Sequence, residues 1–170
     1  MKKTKGNVAF EEIVSQASLI ANALGVHPDI DDPHMVRGAI CRLCFQDEHA
    51  ECHTIGHLFT EDGKTKALAQ TLMAKAREKA EFLFCHQPEF SASSLVDAVR
   101  EGAILAHDCV IAVEGMPNQI VPLANEAVSI MTANSVGLLC DHSTAELTAL
   151  TENETVGAIQ DIVASVPSRR

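Results

Sequence analysis

From Lys64 to His86 the chain places Leu68, Leu72, Ala76, Ala80 and Leu83 at three- and four-residue intervals, with Lys75, Arg77, Glu78 and Glu81 between them. A helix turning through about 100° per residue gathers the first set on one side and the second on the other. A helix of that length with one apolar stripe has to lay the stripe against other elements, so this stretch sets the terms for the rest of the fold. The same spacing recurs at Val8, Ile13, Val14, Ala17, Ile20, Ala21 and Leu24, where Asn7 can cap the start and Gly25 can end the helix. After the connector VHPDIDDP, Asp32 offers an N-cap and Pro33 a first helical residue for a helix running to about Leu58. Ser91, Ser93 and Ser94 offer caps for a further helix through about Val113, striped by Leu95, Val99, Gly102, Ala106, Cys109 and Val113. Leu123 to about Ser135, Ser143 to Leu150 and Asn153 to Ser165 complete the series.

The expected fold is therefore all-α, a compact bundle of about five to seven helices forming a single domain over residues 1–170. The alternative is α+β, with short strands near 109–113 and 136–140, because apolar runs such as DCVIAV and VGLLC do not separate strand from buried helix by period alone.

A net charge of -10 and six aromatic residues, all Phe, leave neither a basic surface nor a stacking platform for nucleic acid. No apolar run reaches the ~18 residues of a membrane helix, and acidity disfavours anionic membrane surfaces. Glu11 and Glu12 interrupt the place where a secretory apolar segment would lie, so a cytoplasmic protein is expected, with its six cysteines as reduced thiols.

The chemistry concentrates in CRLCFQDEHAECHTIGH, residues 41–57, which holds three of the eight histidines and three of the six cysteines. On the expected helix, Val36, Ala39, Ile40, Leu43, Ala50, Thr54 and Leu58 share a core face into which Asp47 projects, a buried carboxylate that needs a partner. His49, His53 and His57 form a second stripe in which neighbours can converge on one ion. Cys44, Glu48 and Cys52 form a third. These residues point to a metal-binding helical bundle with His49 and His53 as central ligands, supplemented by His57, Cys52, Glu48 or Asp47. The cofactor expected is a divalent transition metal, zinc or iron. The remaining ligands would come from another element, with Glu81, Cys85, His86, His107, Asp108, Asp141 and His142 as candidates.

Two other readings stand beside it. One is a non-catalytic, self-associating helical module, a homo-oligomer whose histidine-rich helix is a polar face. The other is thiol redox chemistry at the C-x-x-C pair Cys41-Arg42-Leu43-Cys44. That pair resembles the E-x-x-C-x-x-C-x-x-x-H motif of alkylhydroperoxidase-D-like proteins, helical thiol enzymes. The motif's Glu falls at Gly38, however, and His49 lies one residue beyond its His. No H-E-x-x-H, P-loop, G-x-G-x-x-G or G-x-S-x-G motif is present, so those protease, nucleotide and acyl-transfer templates gain no support.

Overall fold

The computed structural model describes residues 8–44, 50–56, 63–85, 99–100, 102–106, 109–138 and 153–165. Helix α1 spans Phe10–Leu24, and a 3-10 turn at Pro33–Met35 leads into strands β1, Arg37–Cys44, and β2, Ala50–Gly56. Helix α2 spans Gly63–Cys85. Strands β3, Val99–Arg100, β4, Ala103–Ala106, and β5, Cys109–Glu114, follow, and then helices α3, Ala124–Ser135, and α4, Glu154–Ser165. The strands form one antiparallel sheet in the order β2-β1-β5-β4-β3.

This is an α+β protein, which corrects the expected all-α bundle. The helix expected from Pro33 to Leu58 is replaced by β1 and β2, and the one expected through Val113 is replaced by β3, β4 and β5. The Asp32 cap does form, its Oδ1 accepting from the His34 amide at 3.0 Å, but it closes a single 3-10 turn. Of the alternative strands, β5 covers 109–113. Val136 instead ends α3, Gly137 is left-handed at φ +80°, and the Leu138 amide donates back to the Ala133 carbonyl. Residues 139–140 and the helix expected from Ser143 to Leu150 lie outside the described residues.

Each face of the sheet is covered differently. Strands alternate their side chains, so Ala39, Cys41 and Leu43 of β1 face one way with Val110 and Ala112 of β5 and Ala103 of β4. Helix α2 lies on that face through Ala69, Leu72, Ala76, Ala80 and Leu83, and the many alanines let it approach the strands closely. On the other face Ile40, Ile55, Ile104, Ile111 and Val113 pack against α1, α3 and α4, which contribute Ile13, Ile20, Ile130, Val156 and Ile159. Each fully buried isoleucine contributes about 2–3 kcal/mol by removal from water, so this layer carries most of the hydrophobic stabilisation.

A polar residue within this second face has its own explanation. Arg42 bonds its cross-strand neighbour Glu51 at 3.0 Å, and its guanidinium sits 5.4 Å from the centre of the Phe10 ring, tying the start of α1 to the sheet. Among the described residues no helix is long and apolar enough to cross a membrane.

Candidate functional site

The thiol pair arises from the pairing of β1 with β2. Cys41 lies directly opposite Cys52, and both side chains point to the α2 face. Cys41 is fully buried, whereas Cys52, on the edge strand, is half-buried.

The phase of the ladder follows from Val113, whose amide donates to the Gly102 carbonyl at 2.9 Å. Hydrogen-bonding direction alternates along a strand, so Cys109, Ile111 and Val113 bond toward β4, while Val110, Ala112 and Glu114 bond toward β1. Through the register, Ala39, Cys41 and Leu43 bond toward β5, and their even-numbered neighbours bond toward β2. Cys41 and Cys52 are therefore opposed at a non-hydrogen-bonded position, the class in which Cα atoms stand about 4.5 Å apart and side chains are closest. A disulfide spans Cα separations of about 4.4–6.8 Å, so this pair can close without moving the backbone. The backbone amide and carbonyl of Cys52 point away from β1, off the edge of the sheet.

The Cys41 thiol donates a hydrogen bond to the Cys52 sulfur. That bond is the main cause that lowers the Cys52 pKa; burial opposes it and the positive charge of Arg77 assists it. The same bond, with burial next, drives the Cys41 pKa far above the ordinary thiol range. The two thiols are thus differentiated. Cys52 is the more accessible sulfur and the one pushed toward the thiolate, and Cys41 is the buried thiol pushed toward keeping its proton. Arg77 comes from the exposed side of α2, where its Nε donates to Glu81 Oε1 at 2.9 Å.

A second opposed pair occupies the other face. Cys44 of β1 lies opposite Cys109 of β5, again at a non-hydrogen-bonded position by the same alternation. Cys109 is buried and Cys44 partly buried, both against the isoleucine layer.

Comparison with known families, curated proteins and solved structures gives no match for this chain.

The strands remove the helical spacing on which the metal reading rested at Cys52 and His53. Cys52 and His53 stand on β2, where neighbours project to opposite faces, so they do not share a site. Of the expected stripe only His53 lies among the described residues, and it stands on a strand, where four residues cover about 13 Å rather than one helical turn. His53 is exposed, and its Nδ1 donates to the Thr54 carbonyl at 2.7 Å. Asp47, Glu48, His49 and His57 lie outside the described residues, as do His86, His107, Asp108, Asp141 and His142. Of the other candidates, Glu81 is paired with Arg77 and Cys85 is exposed. Among the described residues no group of three or more His, Cys, Asp or Glu side chains converges on a point that could hold a metal ion.

The C-x-x-C reading is corrected in its pairing. Cys41 and Cys44 are three apart on one strand and face opposite layers, so neither serves the other.

The difference between the two thiols has a measurable consequence. The rate of iodoacetamide alkylation at Cys52, followed by peptide mapping, should rise with pH through a midpoint below that of an ordinary thiol. Cys41→Ala removes the donor and should move that midpoint upward; equal midpoints in the two proteins would dissolve the pair. The stability profile has a fixed sign. Folded-state preference for the Cys52 thiolate adds stability that is complete above the unfolded thiol pKa and is lost as pH falls through the lowered value. Cys41 acts oppositely: its contribution is complete below the unfolded thiol pKa and declines as pH rises above it.

Proposed function

We propose that this chain is a thiol–disulfide redox protein in which Cys52 exchanges with a substrate disulfide and Cys41 resolves the intermediate. The supporting observation is their direct opposition across β1 and β2, with the Cys41 thiol bonded to the Cys52 sulfur.

In the first step the Cys52 thiolate attacks one sulfur of a disulfide. A bond to Cys52 forms, the substrate S–S bond breaks, and one thiolate leaves. Cys41 then gives up its proton to that leaving thiolate as its sulfur attacks Cys52. The Cys41–Cys52 bond forms and the second substrate thiolate is released. Two electrons have passed from the protein dithiol to the substrate disulfide, and the reverse sequence reduces the protein. Burial of Cys41 suits the resolving role, because only a sulfur already in contact reaches it. Half-exposure of Cys52 on an edge strand suits the attacking role.

The test is incubation with oxidised glutathione, acid quenching, alkylation and mass mapping. Wild type should yield a Cys41–Cys52 bond, Cys41→Ala should stop at glutathione on Cys52, and Cys52→Ser should lose reaction at this site. Glutathione attached at Cys85 with none passing through Cys52 would overturn the proposal.

A further inference from the structure

The cleft at the far end of β1 is independent of the thiol chemistry. A cavity of about 480 Å³ opens between the first half of α2, the start of β1 and the connector from β5 to α3. That volume is in the range of small-molecule sites. Its walls are apolar where Leu68, Leu72 and Met116 contribute, and its polar side chains are Arg37, Glu114, Asn118, Gln119 and Asn125.

Two asparagines line it, and each has spent its acceptor. Asn125, only 4% exposed, receives the Met116 amide on Oδ1 at 2.8 Å. Asn118 receives the Asn125 amide on Oδ1 at 2.9 Å. A backbone N–H can be met only by oxygen, so these bonds fix both amide orientations. Each Nδ2 group is thereby left as the donor end of its amide.

Charge points the same way. Arg37 at the rim is exposed and has no ion-pair partner among the described residues. The carboxylate on the same rim, Glu114, is already held by Lys79. The cleft therefore offers a guanidinium, the donor ends of the Asn118 and Asn125 amides with the Gln119 amide beside them, no uncommitted anion among its described lining, and an apolar wall, all within a chain of net charge -10.

We infer that this cleft binds a small organic carboxylate with an apolar chain, its head on Arg37, Asn118 and Asn125 and its chain against Leu68, Leu72 and Met116. The head satisfies the spare donors, and a guanidinium–carboxylate contact is the strong, directional kind. The apolar body gains by leaving water. A neutral analogue of equal length keeps the second contribution and loses the first.

The probes are hexanoate and 1-hexanol, titrated into the full-length, isotopically labelled protein and followed by amide chemical shifts. Hexanoate should saturate with its shifts on Leu72, Gly115, Met116 and Asn118, and 1-hexanol should bind about tenfold more weakly, the scale of one charged hydrogen bond. Arg37→Gln should weaken hexanoate about tenfold with an unchanged unfolding midpoint, Arg37→Lys should lose less, and Lys75→Gln should bind like wild type. Equal affinity for acid and alcohol, equal binding by wild type and Arg37→Gln, or shifts confined elsewhere would overturn the assignment.

Discussion

Replacing Gly38 with alanine should lower the free energy of unfolding by about 3 kcal/mol, read as a fall in the urea midpoint at unchanged slope. In most strands this substitution is favourable, because alanine loses less backbone freedom than glycine on folding. Here the sign reverses. An ideal Cβ at Gly38 falls 2.2 Å from the Glu114 carbonyl oxygen and 2.7 Å from Met116 Cε. The methionine end can swing aside. The carbonyl cannot, since Glu114 belongs to β5 and is paired with Ala39 in the register that holds β1 in the middle of the sheet. Making room means parting β1 from β5, and every hydrogen bond and packed residue along that seam opposes it. An alanine variant as stable as wild type would mean that β1 and β5 do not meet in this register, and the Cys44–Cys109 opposition would go with it.

Gly38 also shows why the sheet was hard to read from sequence. A central strand covered on both faces shows no polar alternation, and the run from Arg37 to Leu43 is buried at nearly every position. Val36, Ala39, Ile40 and Leu43 therefore fit a helical stripe as well as they fit two opposite strand faces. The one charged residue inside the run, Arg42, looks like a helix surface position, although it is explained by Glu51 across the strand pair and by Phe10 above it. Gly38 and the β-branched Thr54 and Ile55, followed by left-handed Gly56, were the available signals for strands. The helices were legible from a stripe with one face on the core and the other in water, or from length between turns. The stripe of α2 predicts Lys64–His86 and the helix spans Gly63–Cys85; Leu123–Ser135 and Asn153–Ser165 compare with Ala124–Ser135 and Glu154–Ser165. Periodicity survives in α2, which packs along one side, whereas α3 is buried at nearly every position from Ala124 to Ala133 and is marked by its length rather than by a stripe.

The site was less legible than the fold because it depends on register. Cys41 and Cys44 look like partners in sequence, yet a strand turns them to opposite layers. Cys41 and Cys52 look unrelated until β1 and β2 are paired, when they become nearest neighbours. A shift of one residue in that pairing would turn Cys52 to the α1 face and leave Cys41 without it. No count of intervals along a single helix contains this information, and the helical spacing that joins Cys44 to Cys52 and Cys52 to His53 has a different meaning on β1 and β2.

Oxidation supplies the sharpest test of the register, because it converts two opposed cysteine pairs into covalent bonds with different consequences. The Cys41–Cys52 bond should form first, since Cys52 is half-exposed, and should stabilise the protein by about 3 kcal/mol through the short loop it closes in the unfolded chain. Cys109 is 2% exposed, so the Cys44–Cys109 bond should form more slowly and through Cys44. Its loop is several times longer, and its contribution should be about 4 kcal/mol. Strain from the short cross-strand span subtracts from both values equally in kind, since both pairs occupy the same class of position. The measurement is a urea midpoint for each oxidised species, separated by alkylation and identified by mass, with Cys44→Ser removing the second gain and leaving the first. Once both bonds have formed, β1 is tied covalently to β2 on one side and to β5 on the other, and the three strands can no longer separate even when the helices melt. A protein that gains no stability from the first bond, or that links Cys41 to any other cysteine, does not pair β1 with β2 as described, and Cys52 then has no resolving partner.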